Sequence, residues 1–190
     1  MYLVNDIIAF LAANLILSQA LGTSSLFIAA QSRRNLVGTA FCITLFTTFG
    51  TACAYVIDST LPSGAAEFRL LLYTAAVSVF YALLLTVLYL ARRSYFDKLR
   101  KYIHLSAFNC AVMGTLFTIS GKAEDDSSLQ DIGSYVRFGL EAGLGFVTAA
   151  LILTAGYRRL NSSKVPASFR GGPAMLIYIG IISMAVWSLK

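Results

Sequence analysis

Charge is scarce in this chain. Of its 190 residues only 13% are Asp, Glu, Lys or Arg, while 57% are hydrophobic, and the mean hydropathy is +0.72. A soluble domain of this length rarely has so little charge. Histidine occurs once, at His104. No second soft ligand lies near it in sequence, which argues against a zinc site, and its place beside Lys101 reads as an interfacial helix start. The three cysteines, Cys42, Cys53 and Cys110, all fall inside apolar runs, so they do not form a disulfide framework. Cys42 and Cys53 would sit about 16 Å apart along one helix axis; they cannot pair, and read as small packing residues. No Walker loop, dinucleotide-binding glycine motif or nucleophile elbow is present, which excludes nucleotide binding or hydrolysis by this chain alone. Met1–Asp6 carries no basic residue, whereas a cleavable signal peptide needs one.

What the chain has is long apolar runs. Crossing a hydrocarbon core of roughly 30 Å takes about 20 helical residues, and six spans can be drawn: Tyr2–Ala20 with an apolar continuation to Ala30, Leu36–Ile57, Leu70–Ala91, Ile103–Ser120, Ile132–Tyr157 and Pro173–Leu189. Backbone hydrogen bonds must be satisfied internally in lipid, so these spans are helices; the ten-residue alternation of a membrane barrel is missing. Eleven of the fifteen basic residues cluster in three connections: Arg33 and Arg34; Arg92, Arg93, Lys98, Arg100 and Lys101; Arg158, Arg159, Lys164 and Arg170. The connections between them are acidic, with Asp58 and Glu67 in one and Glu124, Asp125, Asp126 and Asp131 in the other. The positive-inside rule makes the basic connections cytoplasmic and puts both termini outside. Basic residues that flank spans are a mark of orientation, and no nucleic-acid partner is implied.

The chain reads as one integral membrane domain, 1–190. Three spans precede the middle basic connection and three follow, so the halves (about 1–95 and 96–190) enter the bilayer in opposite senses. If alike, they form a 3+3 inverted repeat with a site near the midplane. Asn14 followed by Gly22-Thr23-Ser24-Ser25 in the first span has a counterpart in Asn109-Cys110 followed by Gly114-Thr115 in the fourth. Small residues at membrane depth permit interrupted first and fourth helices. Two readings stay open for the first: a break near Gly22–Ser25, or a plain helix capped by Gly22 with a short segment after it.

Glu141 is the one acid placed well inside a span, and an ionisable group there is a candidate for an ion path. The alternative is a local pair with Arg137, four residues earlier on the same helical face and about 6 Å away. Gly139 and Gly143 have the small-xxx-small spacing that lets helices approach closely, either within the subunit or against a partner.

Several of these segments resemble one family. Asn14-Leu15-Ile16-Leu17 through Leu21-Gly22 is similar to the first-span signature of the Rnf/Nqr membrane subunits (RnfA/RnfE, NqrD/NqrE), Asn109-Cys110-Ala111-Val112-Met113-Gly114 to their fourth-span signature, and Val165-Pro166-Ala167-Ser168-Phe169-Arg170-Gly171 to the last cytoplasmic loop of RnfA. Gly139 to Phe146 fits as well. The resemblance implies a core subunit of an ion-pumping complex in a bacterial or archaeal plasma membrane, which moves electrons between ferredoxin and NAD. It implies a paralogous RnfE-like six-helix partner of opposite orientation, other subunits that carry flavin and iron–sulfur groups, and a mid-membrane 2Fe–2S cluster held by two cysteines from each of the pair. Cys110 matches one ligand position, with Asn14, Gly22, Asn109 and Gly114 shaping the interrupted helices. The other ligand position holds Ser24 where the family has Cys, and a hydroxyl loses its proton far less readily than a thiol. A small secondary transporter without a redox centre, or a scaffold protein of the same fold that has lost the cluster, are the rival readings.

Overall fold

The computed structural model describes residues 14–61, 67–91, 93–163 and 165–188. Most of the expected first span, with the amino-terminal segment Met1–Asp6, lies outside these residues. Those described are all-helical, with eight α-helices and one 3-10 turn: α1 (Leu15–Gln19), α2 (Thr23–Gln31), α3 (Arg33–Thr60), α4 (Arg69–Ala91), α5 (Arg93–Ala107), α6 (Cys110–Asp125), the turn at Ser127–Leu129, α7 (Ile132–Leu160) and α8 (Gly172–Trp187). Helices α3, α4 and α7 are long and apolar enough to cross a membrane, and α5 with α6 qualifies as a fourth, bent span. Helix α8, 16 residues, is shorter but strongly apolar.

Helix α3 packs along α7 at the centre, and the sequence explains how closely. A Cβ on Gly139 would lie 2.8 Å from Thr47 O and 2.9 Å from Thr48 Cα, and one on Gly143 2.8 Å from Thr44 Cα. The small-xxx-small pair therefore serves packing inside this subunit. The facing threonines return their hydroxyl protons to their own helix, Thr44 to Ala40 O at 2.9 Å and Thr47 to Ile43 O at 3.0 Å. No unpaired hydroxyl on these two residues is then left to keep the helices apart.

Two apolar cores flank this central pair. One joins Ile16, Leu17, Leu26, Phe146, Leu153 and Ile179. The other joins Phe46, Tyr73, Ile103, Val112, Leu116 and Ile119. The reverse side of α4 leaves Leu71, Val79, Leu83, Val87 and Leu90 exposed, as a surface meant for lipid or another membrane protein does.

The middle basic connection is helical, not a loop. Helix α5 starts right after α4 and is amphipathic, with Arg93, Lys98, Arg100 and Lys101 exposed while Tyr102, Ile103 and Ala107 are buried. The positions of its apolar residues at helical spacing carry the helix through the charged stretch.

Candidate functional site

Two helix interruptions define the site. Helix α1 ends with Ala20 in the left-handed region (φ 54°), and Gly22 (φ 75°) opens α2. The second of these turns is free of strain only because glycine has no Cβ. Helices α5 and α6 are interrupted at Phe108 and Asn109 and meet at 46°. Among the described residues, the first-span stretch breaks at Ala20–Gly22 and resumes as the nine-residue α2.

Two asparagines cap helices here, Asn14 at the start of α1 and Asn109 at the start of α6, and Asn109 also ties the two interruptions together. The Oδ1 of Asn14 accepts from Ile16 N at 3.0 Å, and its Nδ2 donates to Gly145 O at 2.8 Å, tying α1 to α7. The Oδ1 of Asn109 accepts from Ala111 N at 3.1 Å and caps α6. Its Nδ2 donates to the Oγ of Ser25, which itself donates to Gly22 O at 2.8 Å. Asn14, Ser25 and Asn109 are all buried, so their polar atoms must pair within the protein. The two interruptions also interlock sterically. A Cβ on Gly22 would meet Ala111 Cβ at 2.8 Å, and one on Gly114 would meet Leu21 Cδ1 at 2.5 Å.

The junction closes on a thiol. Gly22 N donates to Cys110 Sγ at 3.0 Å. Cys110 is the first residue of α6 and is exposed; Ser24, in the first turn of α2, is exposed as well. Two helix amino termini thus converge beside one thiol on the outside of the chain, a setting that favours negative charge. Cys42 is buried and Cys53 partly buried, both on α3, where they pack. Among the described residues no three His, Cys, Asp or Glu side chains come together as a metal site.

Arg137 donates to Glu141 at 3.0 Å, the local pair that their spacing allows, and both side chains are more than half exposed. Glu141 also lines a cleft of about 340 Å³ with Lys122, Ser134, Arg137, Asn14 and Gly145. The cleft therefore connects Glu141 with the cap of α1. His104 lies in the last turn of α5, not at a helix start. Its Nε2 accepts from Arg100 Nε at 3.1 Å, and its Nδ1 faces the Tyr81 hydroxyl.

Ser25 stands out in the sequence only as a neighbour of Gly22; its bond to Asn109 spans 84 positions and has no local signature. A second polar cluster, around Asp58 and Arg69, has only the signal of an acid and a base flanking one connection.

The fold and site together define an integral membrane protein with two interrupted helices facing each other. The chain belongs to the Rnf-Nqr subunit family of membrane proteins, whose model matches residues 3–190. It is 24% identical over 178 residues to the A-type subunit of the ion-translocating oxidoreductase complex of Psychromonas ingrahamii, covering 92% of this chain and 89% of that protein. It is 25% identical over 187 residues to the protein of the same name from Shewanella baltica, covering 97% and 94%. To the A-type subunit of the Na(+)-translocating ferredoxin:NAD(+) oxidoreductase complex of Acetobacterium woodii it is 26% identical over 183 residues, covering 93% and 90%.

Proposed function

We propose that this chain is the A-type membrane subunit of an ion-translocating oxidoreductase complex of the Rnf kind, and that its paired helix interruptions form half of a mid-membrane redox site completed by a paralogous partner. Carrying this reading is the convergence of two half-helix amino termini on the exposed Cys110. The order of elements supports it: an interrupted pair, then α3 and α4, followed by a second interrupted pair, then α7 and α8. That order suits an inverted 3+3 repeat with basic connections in the cytoplasm and both termini outside a plasma membrane.

The residues present supply one thiol of the two that the family resemblance implies. Cys110 suits a ligand role, since it is exposed and its Sγ takes a backbone hydrogen bond of the kind that tunes iron–sulfur potentials. Ser24 brings a hydroxyl to the other position. A 2Fe–2S cluster, when bound, exchanges single electrons. Cys110 would ligate it, Gly22 N–H would hydrogen-bond the ligating sulfur, and Asn109 and Ser25 would fix the distance between the two helix ends. Glu141 and its cleft form the candidate entry for the coupling ion, while flavin and further iron–sulfur groups belong to other subunits.

The exposed Ser24 favours one alternative, a scaffold protein that keeps the fold without a cluster. Electron paramagnetic resonance and iron analysis of the purified complex separate the two. A 2Fe–2S signal that disappears in Cys110→Ala supports the redox site, and an assembled complex that never shows it supports the scaffold.

A further inference from the structure

The end of the bundle that carries the acidic connections holds a polar cluster unused by the redox site. Asp58, at the end of α3, accepts from the Tyr73 hydroxyl of α4 and from the Tyr135 hydroxyl of α7 at 2.9 Å. Arg69, which opens α4, pairs through Nη1 with Glu124 near the end of α6, and Ser120 Oγ lies 3.5 Å from the same nitrogen. Its Nε is 3.7 Å from Asp58 Oδ1, too far for a hydrogen bond, and is buried with no hydrogen-bond partner among the described residues. These groups line a half-open cleft of about 300 Å³ beside the buried Ala123 of α6.

The two ends of this cluster differ in strength. Asp58 is enclosed, its side chain 13% exposed, and two neutral donors already satisfy it; Glu124 is 56% exposed. An ion pair with a half-exposed partner separates at small cost. A guanidinium nitrogen with no acceptor, beside a carboxylate just out of reach, marks a second seat for the same side chain. We propose that Arg69 is a two-position bolt on the outer face. On Glu124 it joins α4 of the first half to α6 of the second and narrows the cleft. Drawn back onto Asp58 alone, it satisfies its Nε, frees α6 and widens the cleft toward the outside. Asp58, Tyr73 and Tyr135 are the fixed anchor. The outward direction rests on the membrane orientation proposed above.

The test uses the assembled complex in right-side-out membrane vesicles, with Ala123→Cys as reporter and a membrane-impermeant maleimide as probe, read against the chain without the added cysteine. Arg69→Gln and Glu124→Gln are each expected to speed labelling by about two- to fivefold, the range that loss of one partly exposed ion pair allows. Arg69→Lys, which keeps a cation between the two carboxylates, is expected to stay near the rate of the single reporter, showing that loss of charge and not a change of fold is the cause. Equal labelling rates in Arg69→Gln and the single reporter, or labelling in Arg69→Lys as fast as in Arg69→Gln, overturn the bolt. Labelling that is faster from the opposite side of the membrane overturns the orientation while leaving the bolt standing. Neither readout depends on iron, so a complex without a cluster can still pass.

Discussion

The backbone N–H of Gly22 donates to Cys110 Sγ at 3.0 Å across 88 positions of chain. This one contact sets the start of α2 against the start of α6 and leaves the sulfur at the protein surface. The fit of the two interruptions is close enough for single methyl groups to report on it.

Gly22→Ala is expected to destabilise the complex by about 2 kcal/mol or more, because it forces an L-residue to positive φ and drives a methyl into Ala111. Gly114→Ala should cost less, since the atom it meets is the mobile end of Leu21. Thermal melting of the detergent-solubilised complex compares the two. Equal melting points for Gly22→Ala and the native chain would remove the steric argument.

Asn109 does two jobs, which two substitutions separate. Asn109→Ala loses both the cap and the link to Ser25, at about 1–3 kcal/mol. Asn109→Ser restores a cap but cannot reach Ser25, so it should recover only part of the loss. Full recovery in Asn109→Ser would show that the link to Ser25 contributes nothing.

The contact of α3 with α7 predicts a contrast among glycines. Gly139→Ala pushes against backbone atoms of α3, which cannot rotate away, and should destabilise by roughly 1–3 kcal/mol. Gly121→Ala and Gly180→Ala meet nothing within 4 Å and, being helical, should be neutral or gain about 0.5–1 kcal/mol. A melting series over the three tests this directly.

Glu141→Gln removes an exposed pair worth only about 0.3–0.5 kcal/mol, so folding and electron transfer should persist. Ion uptake by vesicles that hold the complex should nonetheless fall if the cleft is the entry. Unchanged uptake per electron transferred would leave Glu141 as a surface partner of Arg137.

Much of this architecture is legible in the residues, for identifiable reasons. Helices α3, α4 and α7 announce themselves because lipid demands about 20 apolar residues per span. The break at Gly22 is signalled by an apolar stretch too long for one helix, and Asn14 and Asn109 by the capping preference of asparagine. Three features stay hidden. Helix α5 is masked by its charges, though its apolar residues keep helical spacing. The environment of His104 depends on Tyr81 in another span. The Asp58–Arg69–Glu124 cluster draws on residues far apart in the chain, and only tertiary structure brings those together. The inequality of the proposed ligand positions is readable, since Ser24 stands in the sequence where the family resemblance implies a second thiol.

The position of Ser24 yields its own experiment. If Cys110 and Ser24 flank one cluster, Ser24→Cys should raise the iron bound per complex and change the spectrum of the reduced centre. An unaltered iron content and spectrum would separate Ser24 from the site.

The most direct measurement is electron paramagnetic resonance of the reduced complex, native against Cys110→Ala, with Cys42→Ser and Cys53→Ser as controls. A 2Fe–2S component present in the native complex and both controls, and missing from an assembled Cys110→Ala complex, is the expected result. The same component at full intensity in Cys110→Ala would contradict a redox site at the helix junction.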